Sequence, residues 1–235
     1  MRFTGKSFLI VGASSGIGFS IANKLSENGA EIFTTSRDLT KDFPGKKIQF
    51  DVSDDPQNLN LQLPDVLHGL VYCPGTINLK PFSRLTDQDF LNDFQVNVLG
   101  AIKVIRQVIN KLKKAENSSI VLFSTVAVKT GMNFHSSVVT SKSGLEGLSI
   151  SLAAEYSSSG VRVNTIAPSL TDTPLAANLL STPEKREISA KRHPAGRIGL
   201  ADDISSAALF LLSDESTWIT GQVLHIDGGL SSLRV

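Results

Sequence analysis

Three glycines near the amino terminus are the residues whose type and spacing point most directly to chemistry. Gly12, Gly16 and Gly18 follow an apolar run at 7–11 and precede a helical pattern of apolar residues. Glycines let the backbone approach a diphosphate closely, and the first turn of a helix offers free N–H groups and a partial positive charge. This strand–turn–helix context predicts a dinucleotide-binding loop, with a tight turn that binds nothing as the alternative. The residues predicted to bind the diphosphate are Gly12, Ser14, Ser15, Gly16, Ile17 and Gly18.

The second predicted strand is followed by a basic residue, Arg37, and no acidic residue ends it. An acidic side chain there would bind a ribose 2′-hydroxyl, whereas an arginine can pair with a 2′-phosphate. We therefore expect NADP(H) rather than NAD(H), the alternative being a solvent-facing arginine. Asp51, at the end of the third predicted strand, either binds the adenine amino group or caps the turn at Ser53.

The composition favours one α/β domain and excludes several classes of protein. The chain has 235 residues, of which 41% are hydrophobic and 19% charged, so it can form a core. A net charge of +1 gives no support to a role on nucleic acid or an anionic membrane. The single cysteine, Cys73, excludes an intramolecular disulfide, and no Cys/His spacing suggests a metal site. Without a spanning apolar run or a signal-type segment, we expect a cytoplasmic protein.

Strand and helix patterns alternate along the whole chain. Apolar runs at 7–11, 31–35, 47–50, 67–72, 119–124, 161–166 and 223–226 predict seven strands. Continuous apolar runs are typical of parallel strands that are buried on both faces. Right-handed crossovers between them give an α/β Rossmann fold, a doubly wound seven-stranded parallel sheet with helices on both faces, in a single domain at 1–235.

Two helices and one loop-rich stretch are expected to surround the site. A capping-box start at Thr86 is followed by apolar residues at three- and four-residue steps as far as Leu112, which predicts one long helix. A second helix contains Lys142 and ends before Gly160. The stretch at 169–200 is rich in proline and glycine, and its length predicts a mobile substrate lid or a binding loop.

Several ordered motifs together carry a family resemblance. They are Gly12-Ala13-Ser14-Ser15-Gly16-Ile17-Gly18, Asp51-Val52, Val96-Asn97-Val98-Leu99-Gly100, Val161-Arg162-Val163-Asn164, Ile166-Ala167-Pro168 and Gly221-Gln222-Val223-Leu224-His225-Ile226-Asp227-Gly228-Gly229. Over essentially its whole length the chain resembles the short-chain dehydrogenase/reductase family, especially its ketoacyl-reductase-like members. The resemblance implies a small-molecule substrate and a homo-oligomer, a dimer or tetramer. It also implies that the glycine loop and Arg37 bind NADP(H) together with Asp51, Val52, Gly75, Asn97, Lys142, Pro168 and Thr171.

The departures from the family pattern are as informative as the matches. The family's Asn-Asn-Ala-Gly after the fourth strand is Tyr72-Cys73-Pro74-Gly75 here, so that only the glycine is kept. In the catalytic helix the lysine matches Lys142, but the family tyrosine four residues earlier falls on Val138. The family's asparagine and serine fall on Asn97 and Thr125.

A valine at position 138 removes the group that exchanges a proton with the substrate oxygen in the family. Loss of a general acid typically costs about 100- to 10,000-fold in rate. His135, two turns before Lys142 and near where enoyl reductases of the superfamily place a tyrosine, is one replacement, unless it is an exposed loop histidine. A conjugated enone substrate would need less acid, since Thr125 and Lys142 could stabilise an enolate. The third alternative is a protein that binds nucleotide without catalysis, as a sensor or partner subunit.

The segment at 182–199 is strongly basic. It contains Lys185, Arg186, Lys191, Arg192, His193 and Arg197. These side chains could contact an anionic carrier or a carboxylate substrate, but the sequence favours a solvated helix with Glu184 and Glu187 as partners. The sequence as a whole predicts an atypical NADP(H)-dependent reductase of a carbonyl or conjugated enone, with Asn97, Thr125, Lys142 and His135 in its catalytic site.

Overall fold

The computed structural model describes residues 2–234, and its centre is a seven-stranded parallel sheet. In chain order the strands are β1 (Ser7–Val11), β2 (Glu31–Ser36), β3 (Lys46–Gln49), β4 (Gly69–Tyr72), β5 (Ser118–Phe123), β6 (Val161–Pro168), β7 (Thr171–Asp172), β8 (Gly199–Leu200) and β9 (Val223–Ile226). The sheet order is β3-β2-β1-β4-β5-β6-β9, and β7 pairs separately with β8. The predicted doubly wound Rossmann fold is therefore confirmed. The strand order reverses between β1 and β4, which is where such sheets bind ligands at their carboxyl ends.

Helices cover both faces of this sheet. In chain order they are α1 (Gly16–Glu27), α2 (Gln57–Leu61), α3 (Asp87–Phe94), α4 (Gly100–Lys113), α5 (Ala127–Thr130), α6 (Ser136–Tyr156), α7 (Pro183–Lys191) and α8 (Ala201–Leu212). Shorter 3₁₀ helices lie at Phe82–Arg84, Ser157–Ser159, Pro174–Leu180 and Asp214–Ser216. No helix in the part of the chain from 2 to 234 is long and apolar enough to cross a membrane.

Strand β1 shows why the sheet is buried on both sides. Leu9 and Val11 pack into one hydrophobic cluster, with α4 and α6, whereas Phe8 and Ile10 pack into another, with α1 and α8. Successive side chains of a strand point to opposite faces, so an uninterrupted apolar run is needed to fill both clusters.

The long helix predicted from Thr86 to Leu112 is interrupted. Its capping box is present, because Thr86 and Asp89 exchange side-chain and backbone hydrogen bonds, but a π turn at Gln95–Leu99 separates α3 from α4. Inside that turn the Nδ2 group of Asn97 donates to the Asp93 carbonyl oxygen at 2.8 Å. Apolar spacing could not reveal this irregularity, since the periodicity continues through it. Such turns occur frequently at functional sites.

The stretch at 169–200 contains more regular structure than its composition indicates. It forms the 3₁₀ helix at Pro174–Leu180, helix α7 and the β7–β8 pair. Thr182 caps α7 by accepting a hydrogen bond from the Lys185 N–H, and Pro183 occupies the first helical position, where a missing N–H costs nothing. Two of the three prolines here, Pro174 and Pro183, begin helices rather than break them.

Candidate active site

The glycine loop connects β1 to α1 at the point where the strand order reverses. Gly12 and Gly16 have φ values of 81° and 56°, in the left-handed region that favours glycine. A Cβ atom on Gly18 would collide with the Gly12 carbonyl oxygen. Ser15 precedes α1 without capping it through its side chain, so the first-turn N–H groups remain available. The loop has the backbone shape and the free donors that a diphosphate requires.

Thr173 is a neighbour of this loop that the sequence analysis did not single out. A Cβ atom on Gly16 would lie 3.3 Å from the Thr173 side chain, so the turn after β7 closes over the start of α1. Thr171, predicted from the family resemblance, is buried, and its hydroxyl donates to the Ser169 carbonyl oxygen at 3.0 Å.

Arg37 and Asp51 lie together beyond the carboxyl ends of β2 and β3. The Arg37 side chain is 82% exposed, and its Nε is 4.0 Å from Asp51 Oδ2. Asp51 Oδ1 accepts hydrogen bonds from the Ser53 N–H at 2.9 Å and from its hydroxyl at 2.7 Å. These bonds hold the pKa of Asp51 below its ordinary value. Asp51 thus caps the turn, as one alternative had it, and Arg37 remains open to an additional anion.

A cavity of about 480 Å³ opens beside the glycine loop at the carboxyl ends of β4, β5 and β6. Residues predicted for the site that line it are Ile17, Gly75, Thr125, His135, Lys142, Pro168 and Thr171. Val138 also lines it, one helical turn before Lys142. The fold therefore brings residues from five separate chain segments to one place. Asp51, Val52 and Arg37 lie outside the cavity lining, and Val52 packs against the core below Gly100.

Lys142 is buried at the floor of this cavity. Its side chain is 6% exposed, and Nζ donates to the Phe123 carbonyl oxygen at 2.7 Å. Removal of the ammonium from water lowers the pKa of Lys142 to about 8, although the charge of Asp93 opposes this shift. A lysine with one neutral acceptor has further hydrogens to donate to a bound hydroxyl.

Asn97 and Lys142 meet across Gly75. A Cβ atom on Gly75 would lie 3.4 Å from both Asn97 Oδ1 and Lys142 Nζ. Asn97 is fully buried, and its Oδ1 has no hydrogen-bond partner among residues 2–234. Because a buried acceptor without a partner is costly, this oxygen fits a hydroxyl or a water brought in with a ligand.

A buried carboxylate fixes Asn97 in this position. The hydroxyls of Thr76 and Ser137 donate to Asp93 at 2.6 Å and 2.5 Å, and Asn97 Nδ2 donates to Thr76 at 2.8 Å. Asp93 is not among the site residues predicted from the sequence. Asp93 is the buried residue of α3, and nothing in the sequence distinguishes it from Asp87 and Asp89 of the same helix.

Neither tyrosine of the chain lines the cavity. Tyr72 lies in the core, and its hydroxyl donates to the Val96 carbonyl oxygen at 2.6 Å. Tyr156 packs at the end of α6. Cys73 also lines the cavity, and removal of its thiol from water raises the pKa of Cys73 to about 12, so it is a thiol and not a thiolate.

Two histidines line the cavity instead. His135 immediately precedes α6, and its Nδ1 is 2.7 Å from the Asn133 carbonyl oxygen, so Nδ1 carries a hydrogen and Nε2 is left for another partner. His193, which the sequence analysis treated only as part of a basic segment, is 5% exposed. Its Nδ1 donates to the Ser189 carbonyl oxygen at 2.8 Å, and its Nε2 is 2.9 Å from the hydroxyl of Ser169.

Thr125 lies on the side of the cavity formed by the ends of β5 and β6. The two ends are joined by hydrogen bonds from the Ser124 N–H to the Ile166 carbonyl and from the Val126 N–H to the Pro168 carbonyl. Thr125 Oγ1 accepts from the Ala127 N–H at 3.3 Å, which leaves its hydrogen free for a ligand oxygen. Ser169 follows Pro168 and also lines the cavity.

The fold and this site define an α/β protein with a glycine loop shaped for a diphosphate and a cavity beside it at the carboxyl edge of the sheet. A family model described as enoyl-(acyl carrier protein) reductase matches residues 12–231. The chain belongs to the short-chain dehydrogenase/reductase family of oxidoreductases.

Individual relatives match over almost the whole chain. A 3-oxoacyl-[acyl-carrier-protein] reductase of Thermotoga maritima is 32% identical, covering 98% of this chain and 99% of that protein. An NADP⁺-dependent L-rhamnose 1-dehydrogenase of Thermoplasma acidophilum is 31% identical, covering 98% of each. A gluconate 5-dehydrogenase of Burkholderia cenocepacia, solved with NADP and tartrate, superposes with a TM-score of 0.91 at 26% identity, covering 99% of this chain and 98% of that one.

Proposed function

We propose that this protein is an NADP(H)-dependent reductase of a carbonyl or conjugated enone substrate that works without the family tyrosine. The observation that carries the proposal is the meeting of Lys142 and Asn97 across Gly75. Lys142 and Gly75 line the cavity, Asn97 lies behind Gly75, and Val138 lines the cavity one turn before the lysine. Lys142 and Asn97 match the lysine and asparagine of the family, whereas the valine at 138 has no hydrogen-bonding group.

The residues of the glycine loop, with Arg37 and Lys142, would hold the dinucleotide. The dinucleotide supplies a hydride to the substrate carbon when bound. Lys142 Nζ would donate to a ribose hydroxyl or a water, and Asn97 Oδ1, which has no partner among residues 2–234, would accept from one. Arg37 would pair with a 2′-phosphate. The NADP-containing and NADP⁺-dependent relatives support this choice.

Thr125 would donate its free hydroxyl hydrogen to the substrate oxygen. Hydride addition to a carbonyl carbon or to a conjugated carbon–carbon double bond places negative charge on that oxygen. The charge of the nearby Lys142 ammonium stabilises the same oxyanion.

The proton that completes the reduction would come from a histidine. His135 lines the cavity on the same helix side as Val138, and its Nε2 is available to donate when the ring is protonated. The Ser169–His193 pair offers a second route, because a protonated His193 can donate to Ser169 as the Ser169 hydroxyl proton passes to the substrate. An enone product could also be protonated by water.

The proposal also includes a lid, a homo-oligomer and a cytoplasmic location. The stretch at 169–200 would act as a lid over the cavity within a single domain. A homo-oligomer is supported by apolar side chains that are exposed on α3 and α6, namely Leu91, Phe94 and Ile150. A cytoplasmic location is also proposed.

The rival function is a nucleotide-binding protein without catalysis, and the valine at 138 is the observation that favours it. Titration of NADPH fluorescence followed by a turnover screen with ketones and enones separates the two. Binding with turnover supports the reductase, binding without turnover of any substrate supports the rival, and no binding contradicts both.

A further inference from the structure

The cavity lining is positively charged. It contains Lys142, Lys185 and Arg192, and no aspartate or glutamate of residues 2–234 lines it. We propose that the cavity takes an apolar substrate with an oxyanion group, a carboxylate or a phosphate ester, which Arg192 binds at the outer end of the cavity. This inference rests on the proposed function only for the reaction at the Lys142 end of the cavity, because binding of the anionic group at Arg192 does not require turnover.

The basic segment around α7 divides into paired and unpaired cations. Arg186 pairs with Asp172 at 2.7 Å, Lys191 with Glu187 at 2.6 Å and Arg197 with Asp203 at 2.6 Å. None of these three paired cations lines the cavity. Their charges are neutralised by neighbours, as expected for a solvated surface.

Lys185 and Arg192 are the lysine and the arginine of this segment that line the cavity, and neither has a carboxylate partner among residues 2–234. Lys185 Nζ donates only to neutral acceptors, the Ser181 hydroxyl at 2.9 Å and the Asn178 carbonyl at 3.4 Å. The Arg192 guanidinium has no hydrogen bond or ion pair with any residue in the described range. Of the expected partners in a solvated helix, Glu187 pairs with Lys191, but neither Glu184 nor Glu187 forms an ion pair with Lys185 or Arg192.

Arg192 lies at the substrate end of the cavity and not at the dinucleotide end. It also lines an adjoining depression with His135, Leu79 and Met132, and no residue of the glycine loop takes part in that depression. The predicted diphosphate site therefore does not account for Arg192. Its planar guanidinium is suited to a carboxylate or a phosphate, which it binds through two parallel hydrogen bonds.

The space between Arg192 and Lys142 is largely apolar. Its lining includes Leu79, Met132, Val138, Leu175, Leu179 and Leu230. A ligand that is complementary to the cavity lining has an anionic group at Arg192, an apolar middle and its reacting carbon near Thr125. Lys185 adds to the positive potential without contacting a carboxylate of the protein.

Calorimetric titration with octanoate, octyl phosphate and octanamide tests this inference, because the three compounds share one apolar chain. We expect the charged compounds to bind at least about 10-fold more tightly than the amide. Arg192→Gln should remove that difference and leave octanamide affinity unchanged. Lys191→Gln, a neighbouring cation outside the cavity, should leave all three affinities unchanged. The tighter of the two anions identifies the group as carboxylate or phosphate.

Equal affinity for all three compounds, absence of binding, or an unchanged preference in Arg192→Gln would overturn the anion site. The titrations are performed both with and without NADP⁺. Failure of the proposed reductase function would instead appear as absent NADPH binding or absent turnover, so the two failures are distinguishable.

Discussion

The ammonium of Lys142 donates to the carbonyl oxygen of Phe123, the last residue of β5, at 2.7 Å inside the protein. Burial lowers the pKa of Lys142 to about 8. Below that pH the folded protein contains a buried ammonium that would be hydrated in the unfolded chain, and this lowers the stability of the folded protein. Between about pH 8 and 10.5 the unfolded chain binds more protons than the folded protein, and stability rises with pH.

We predict that Lys142→Met stabilises the nucleotide-free protein at pH 7 by about 3.5 kcal/mol, because folding lowers the pKa of Lys142 from 10.5 to about 8 and each tenfold change in a proton-binding constant corresponds to about 1.4 kcal/mol. The gain should shrink as the pH rises from about 8 towards 10.5, because the native lysine then loses its charge on folding. Chemical unfolding at several pH values measures it. A gain that is constant with pH would contradict a charged, desolvated lysine. NADPH affinity should fall in the same variant.

Gly75→Ala is expected to separate cofactor binding from folding. The added Cβ would lie 3.4 Å from Asn97 Oδ1 and from Lys142 Nζ, which are tight but tolerable contacts, and it would fill the space between them. We predict a melting temperature within about 3 °C of the wild type, since the free-energy change is below about 1 kcal/mol. The dissociation constant for NADPH should rise at least about 10-fold. Unchanged NADPH affinity would mean that the ligand does not occupy this space.

Arg37→Asp should shift cofactor preference from NADP(H) towards NAD(H). The exposed guanidinium is the group available to a 2′-phosphate, and an added carboxylate would repel it and accept from a ribose hydroxyl. The ratio of kcat/KM for the two cofactors measures the change. Lys41→Asp, on the same exposed loop, is the charge-matched control and should leave the ratio unaltered. If both variants behave alike, Arg37 is only a surface residue.

Much of the fold and part of the site could be predicted from the sequence. A structure that is determined by one segment of the chain could be predicted from the local sequence pattern. The apolar runs that form parallel strands and the glycines before α1 are examples. The π turn around Asn97 was not predictable, because a side-chain hydrogen bond to the Asp93 carbonyl causes no break in apolar spacing. The Ser169–His193 pair and the unpaired Arg192 depend on contacts between distant segments, which spacing along the chain does not report.

His135→Ala should lower kcat of the reductase at least about 10-fold, the low end for a general acid, with little change in NADPH affinity. His193→Gln, which can still donate a hydrogen bond but cannot carry a proton, tests the second route in the same assay. His225→Ala is the control, since that histidine lies on β9 and does not line the cavity. Melting temperatures exclude misfolding. Full activity in both cavity variants would assign the proton to water.

Val138→Tyr tests whether the site is otherwise intact for ketone reduction. The side chain at 138 lines the cavity one turn before Lys142, so a phenol there would lie beside the ammonium, which favours the phenolate and makes the hydroxyl a better acid. We expect ketone reduction to rise at least about 100-fold, the low end of what a general acid supplies. Val139→Tyr, which places the ring on a different side of α6, should give no gain. If neither variant gains activity while both bind NADPH, the cavity differs from the family site at positions other than 138.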